Sequence, residues 1–265
     1  PKDQKTGYEA VFIAGELRSE KPVGMQDGTE IIVENLFFNL PARKKFLKSD
    51  ITEYKHILQT FINYAAAFPD ISFTLRHNKK TIFNLKPSIL EKRLNEVFNL
   101  PIEDNFLKIE KDLPFKLTLF LAKPDIVEKI QKLNLIFVNK RPVRSPTIFS
   151  AIKTAMHTYI PEKLSPSFFV FLEIDPSLYD VNIHPRKEEI KFVNQEIVFR
   201  FIENSVRETL RQAKGLSFRA TATIQIKNSL SQPTAPQQTP KTKTDFKQPQ
   251  YPLPKPSFGK SFEPK

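Results

Sequence analysis

An α+β layered fold is predicted for this chain of 265 residues. Short runs of β-branched and aromatic residues carry strand signals, and amphipathic stretches between them repeat at helical spacing. Prolines and polar turns punctuate the change from one period to the other. Strand and helix signals are interleaved, which fits a mixed sheet covered by helices.

The elements follow in order. Tyr8 to Leu17 and Thr29 to Leu36 are predicted strands around a polar loop holding Gly24 and Gly28. Ile31 and Val33 alternate with polar neighbours, so one face of the second strand is expected to be buried. Asn39-Leu40-Pro41 breaks the pattern. Asp50 with Glu53 reads as a capping box, and Tyr54, Ile57, Leu58, Phe61, Ile62 and Ala65 follow at helical spacing until Pro69. Ile71 to Leu75 and Thr81 to Leu85 make a hairpin across Asn78-Lys79-Lys80. Pro87 begins the next unit, with a helix over Ser88 to Phe98 and strands over Phe115 to Ala122 and Leu135 to Asn139. Ser145 as N-cap with Pro146 behind it opens a helix carrying Ile148, Ile152, Met156 and Tyr159. Phe168 to Ile174, with its apolar run Phe168 to Leu172, is a predicted buried strand. Asn194 caps a last helix with Val198, Ile202, Val206 and Leu210 on one face. After about Lys214 the composition turns to Pro, Gln, Ser, Thr and Lys, too poor in apolar residues to offset ordering entropy, so a linker is expected.

Composition narrows the chemistry. There is no Cys, which excludes disulfides and thiol catalysis and suits a reducing compartment. Apolar runs such as Phe168 to Leu172 are too short to span a bilayer, and no signal peptide is expected from the opening residues. The formal charge is +12, of which the stretch from Gly215 to Lys265 supplies +6. A basic surface favours polyanions, nucleic acid first, although a solvated lysine-rich surface reads the same. The four histidines show no paired ligand spacing, and no Ser/His/Asp triad stands out.

Three segments carry chemistry. In Gly28-Thr29-Glu30 through Lys48, Gly28 permits close backbone approach and Thr29 offers a hydroxyl at a strand start, though an ordinary strand and turn would look alike. In Phe137-Val138-Asn139-Lys140-Arg141-Pro142-Val143-Arg144, three cations within five residues suit phosphate contacts, or else form a solvated turn. In Asp180 to Phe192, Ile190 and Phe192 share a face, and Lys187 after the Pro185 turn is either a point charge for a phosphate oxygen or a partner of Glu188 or Glu189.

Together these segments resemble the MutL family of DNA mismatch-repair proteins, within the GHKL ATPase superfamily. The first matches the family's GT-strand–LF-x-N-x-PAR-x-KFL run, with Asn35 and Phe38 in place of the more usual aspartate and tyrosine. The third matches DVN-x-HP-x-K-x-E, with Arg186 at a position where a small residue or threonine is common. The second matches FVN-G-R, with Lys140 in place of glycine.

The resemblance implies the back half of a GHKL-type α/β sandwich over residues 1–86, a second α+β domain of the ribosomal-protein-like transducer fold over 87–214, and a disordered linker over 215–265. It implies that Gly28, Thr29 and Lys187 contact ATP, with Lys187 sensing the γ-phosphate, and that Arg141, flanked by Lys140 and Arg144, contacts DNA. His184 belongs to the signature as a structural hydrogen-bonder. The function implied is an ATP-dependent clamp that binds double-stranded DNA and couples mismatch recognition by a MutS-type protein to repair. The parent is expected to be a cytoplasmic homodimer, nucleoid-associated if prokaryotic, and a weak ATPase using ATP and Mg2+.

The family's catalytic glutamate, magnesium-binding asparagine, D-x-G-x-G motif and glycine-rich lid precede the GT strand, yet only 27 residues precede Gly28. With six glycines no phosphate-cradling loop can be assembled, so no catalytic residue is assigned and a fragment inactive by itself is expected. A type II topoisomerase ATPase subunit is the alternative within the superfamily, but it lacks the PAR-x-KFL run. A nonenzymatic basic nucleic-acid-binding module is the alternative from another class.

Overall fold

The structure, a computed structural model, describes residues 6–130, 132–181 and 189–228. Its contacts group into two compact units, Pro1–Leu58 and Gln59–Lys265, whose boundary falls inside one continuous helix.

In the first unit, β1 (Gly7–Ile13) and β2 (Glu16–Val23) form an antiparallel hairpin. The single strand expected over Tyr8 to Leu17 is therefore broken. Ala14 and Gly15 take φ of 55° and 93°, and this two-residue left-handed turn folds the run back on itself. Thr29 to Leu36 is not a strand, and its expected buried face is bare: Ile31, Ile32 and Val33 are 82%, 73% and 71% exposed. Among the described residues no neighbouring strand pairs with it, and β propensity without a ladder leaves an extended coil. A short helix, α1 (Pro41–Lys45), follows with a proline at its start.

The long helix α2 (Asp50–Ala67) begins at the predicted cap residue itself, so its cap lies one residue earlier than expected. The Ser49 carbonyl accepts from the amides of Thr52 and Glu53, and Glu53 reaches back to accept from the Lys48 amide at 2.8 Å. Ser49, not Asp50, thus fills the cap position.

In the second unit, β3 (Phe73–His77) and β4 (Lys80–Leu85) form the expected hairpin. Its two-residue turn needs positive φ at both positions, and Asn78 and Lys79 supply 47° and 65°. Helices α3 (Leu90–Phe98) and α4 (Ile102–Asn105) lead into a five-stranded sheet. Its strands are β5 (Phe106–Lys111), β6 (Lys116–Ala122), β7 (Asn134–Val138), β8 (Arg141–Val143) and β9 (Phe168–Glu173). The spatial order is β5-β6-β9-β7-β8, with β7 and β9 parallel and every other pair antiparallel. Helix α5 (Pro146–Met156) makes the crossover between the parallel strands. Its predicted cap is present, since the Ser145 hydroxyl accepts from the Ile148 amide at 3.3 Å.

Adjacent residues on β9 show why its sequence is apolar from Phe168 to Leu172. Successive strand side chains point to opposite faces. Phe168 meets Phe149 of α5, whereas Phe169 meets Phe98 at the end of α3 and Phe106 of β5 at centroid distances of 4.8 and 5.3 Å. Helices therefore cover both faces, and Phe168, Phe169 and Val170 are fully buried.

A small ladder of β10 (Tyr179–Asp180) and β11 (Lys191–Phe192) precedes the last helix, α6 (Gln195–Asn228). The Asn194 side chain caps α6 as expected, accepting from the Ile197 amide at 3.1 Å. The helix does not stop at Lys214. It runs on to Asn228, because the stretch holds a single glycine and the first proline after Lys214 is Pro233. The rest of the expected linker, 229–265, lies outside the described residues. Among the described residues no helix is long and apolar enough to cross a membrane.

Candidate functional site

Gly28 and Thr29 lie together in the first unit, on the wall of an open concavity of about 1260 Å³. Gly28 has φ of 150°, and a Cβ added there would meet nothing within 4 Å, so the backbone is open to an approaching ligand. One cation, Lys44 of α1, lines the same wall, whereas Glu9, Asp27, Glu30 and Glu34 are also present. That donor set suits a base or a hydroxyl but repels a triphosphate. Among the described residues no group of three His, Cys, Asp or Glu side chains could hold a metal ion. The described residues lining this concavity thus do not fit ATP phosphates or Mg2+ by themselves. Lys44 was not singled out from the sequence, although the basic run Arg43-Lys44-Lys45 was there to be read.

Lys187 and His184 lie outside the described residues. What is described is the frame on either side of them. Tyr179 pairs with Phe192 and Asp180 with Lys191, and Ile190 and Phe192 are buried as their alternation predicts.

The basic turn is defined in detail. β7 and β8 are joined by Asn139 and Lys140, at φ of 50° and 64°. Lys140 keeps the left-handed turn that glycine would adopt freely, at a cost of about 1 kcal/mol. Its ammonium lies 5.4 Å from the centre of the Phe68 ring, a cation–π contact that holds the stem down. Asn139 locks the turn. Its amide nitrogen donates to the Ile174 carbonyl at 2.7 Å and the Tyr179 hydroxyl at 3.0 Å, and its side-chain oxygen accepts from the Ile174 amide at 3.0 Å. Arg141 and Arg144 are exposed, and neither joins an ion pair among the described residues. At the far end of β8, Arg144 forms a parallel bridge with Glu189, and its carbonyl accepts from the Ile190 amide at 3.4 Å. The three cations predicted for this segment therefore share one edge of the sheet, Lys140 and Arg141 at the turn and Arg144 past the far end of β8. The bracing role of Asn139 was missed, because its partners lie 35 and 40 residues away in sequence.

The comparisons with known proteins agree with this architecture. The family described as "DNA mismatch repair protein, C-terminal domain" matches residues 94–211. The chain is 37% identical over 216 residues to the DNA mismatch repair protein MutL of Thermodesulfovibrio yellowstonii, covering 79% of this chain and 39% of that protein. It is 34% identical over 211 residues to the corresponding protein of Bacteroides fragilis, covering 79% of this chain and 34% of that one. The chain thus spans well under half the length of these relatives. Among solved structures, it is similar to the Aquifex aeolicus MutL ATPase domain complexed with ADP, with a TM-score of 0.54 at 29% identity over 65% of this chain and 64% of that one. Another structure of the same ATPase domain gives 0.57 at 26% identity, over 78% of this chain and 72% of that one. The α+β architecture, with its five-stranded sheet, is of the GHKL type. The sequence motifs, the matched family and these relatives converge, and the chain belongs to the MutL family of DNA mismatch repair proteins.

Proposed function

We propose that the protein works in DNA mismatch repair as part of an ATP-dependent clamp on double-stranded DNA. In this reading residues 1–86 complete a nucleotide-binding domain, and residues 87–214 form the transducer domain that contacts DNA. Arg141 is the principal DNA contact, with Lys140 and Arg144 beside it. Thr29 contacts the nucleotide base next to the open backbone of Gly28. Lys187 senses the terminal phosphate. The observation that carries the reading is the braced basic turn, whose exposed arginines join no ion pair among the described residues. A homodimeric parent and a MutS-type partner in the cytoplasm belong to the same reading.

Duplex binding tests it. A labelled DNA duplex titrated at several salt concentrations is expected to bind with affinity that falls steeply as salt rises. The double variant Arg141→Glu, Arg144→Glu is expected to weaken binding at low salt by about tenfold or more and to flatten the salt dependence by about two counterions. Binding indifferent to both changes would remove this turn from the DNA surface.

The nucleotide half is tested separately. This chain alone is expected to turn over no ATP, since its described residues offer no phosphate cradle. In a form extended to the length of the relatives, Lys187→Ala is expected to slow turnover without lowering the melting temperature. Unchanged kinetics would take Lys187 out of the site.

A further inference from the structure

The edge that carries the basic turn is held by a contact reaching across the sheet. The turn residues Asn139 and Lys140 both sit in the left-handed region, where an asparagine is tolerated and a lysine is strained. A strained turn keeps one conformation only where its surroundings over-determine it. Here the surroundings are specific. The Ile174 backbone uses both its carbonyl and its amide on the Asn139 side chain, and the second Asn139 N–H is taken by the Tyr179 hydroxyl. Tyr179 is itself fixed, because β10 pairs it with Phe192, which is buried. Between Ile174 and Tyr179 the chain makes a tight turn, in which the Asp175 carboxylate accepts from the Ser177 amide at 2.8 Å and its hydroxyl at 2.7 Å. The phenol is thus the far post of a bracket running from β9 through this turn back to β7.

We propose that Tyr179 is a positioning residue for the DNA-binding turn. Its hydroxyl holds Asn139, Asn139 holds the left-handed conformation of Lys140, and that conformation aims Arg141 at a DNA phosphate. Tyr179 touches no DNA. The inference rests on the reading of Arg141 as a DNA contact. It adds a specific cause for the direction in which that arginine points.

Tyr179→Phe in the full chain is the discriminating variant, since it removes one oxygen and keeps the ring. A fluorescent duplex titrated over a range of salt concentrations is expected to bind this variant about threefold to tenfold more weakly than the parent. The salt slope should lose about one counterion, as when one phosphate contact is given up. The melting temperature should fall by no more than about 4 °C. In a Lys140→Gly background the turn no longer needs bracing, because glycine adopts positive φ freely. There the same Tyr179→Phe change is expected to leave both affinity and slope where Lys140→Gly alone puts them.

Three results would overturn the proposal, each differently. If Arg141→Ala weakens binding and Tyr179→Phe does not, the bracket does not position the turn. If the Tyr179→Phe loss persists undiminished in the Lys140→Gly background, the phenol serves general stability and not the aim of Arg141. If Arg141→Ala itself leaves binding and slope unchanged, the DNA reading of the turn fails first and takes this inference with it.

Discussion

Arg93→Ala is expected to lower the unfolding free energy by about 3–5 kcal/mol, because several carbonyls at once lose a charged donor, each such bond being worth about 1.5–3 kcal/mol. Arg93 is fully buried. Its guanidinium donates to the carbonyls of Ala65 and Phe68 at the end of α2, to Pro69 and Ile71 just beyond it, and to Lys86 after β4, at distances of 2.7 to 3.4 Å. Glu96 lies 3.9 Å away, and the Phe73 ring centre 5.8 Å away. One side chain thus satisfies the open carbonyl end of a helix and ties it to the hairpin that follows. Burial pushes the guanidinium pKa down from its usual value, against the opposing pull of Glu96 and Asp70, yet a group that basic stays charged at any working pH.

Truncation leaves those carbonyls without a donor in the interior, which is where the cost arises. Arg93→Lys should recover only part of it, because a compact ammonium has three donors and lacks the planar fork that reaches both sides. Urea unfolding followed by far-UV circular dichroism measures both variants. A loss below about 1 kcal/mol for Arg93→Ala would mean that water replaces the guanidinium and that Arg93 is not the anchor.

Asn139→Ala carries the second large effect, about 2–4 kcal/mol. Three hydrogen bonds to Ile174 and Tyr179 are lost, each worth about 1 kcal/mol, and alanine at φ of 50° adds steric strain of about 1 kcal/mol. Asn139→Gly separates the two causes, since it loses the same bonds without the strain. Glycine is therefore expected to be the milder change, by about 1 kcal/mol in the same urea experiment. Equal losses would show that the backbone relaxes out of the left-handed region once the side chain is gone. Because the turn carries Arg141, both variants should also weaken duplex binding.

Several features were legible because their causes are local. The Ser145 and Asn194 caps act on amides three residues ahead, and the Asn78-Lys79 turn joins neighbours within one hairpin. The apolar run of β9 announced its own burial, and the alternation of Ile190 and Phe192 announced theirs. Thr29 to Leu36 shows the limit of that reading. Its β-branched pattern is as strong as that of a true strand, but a strand exists only where another supplies its hydrogen bonds. The β5 strand escaped for the opposite reason, since Lys108, Glu110 and Lys111 thin its apolar signal although Phe106 and Ile109 are buried.

The candidate site divides in the same way. Gly28 and Thr29, the cations at positions 140, 141 and 144, and the segment around Lys187 were all marked by short motifs, and the sequence by itself determined the family. The polypeptide order also determined the Ser145 and Asn194 caps and the Asn78-Lys79 turn, because those interactions span a few residues and are written in adjacent side chains. Only the tertiary structure decided that Arg93 is a buried anchor rather than a surface cation, and that Asn139 braces the basic turn. The carbonyls Arg93 holds lie 7 to 28 positions away, and the partners of Asn139 lie 35 to 40 away. A side chain's role is set by what surrounds it, and at such separations only the folded chain brings those surroundings together.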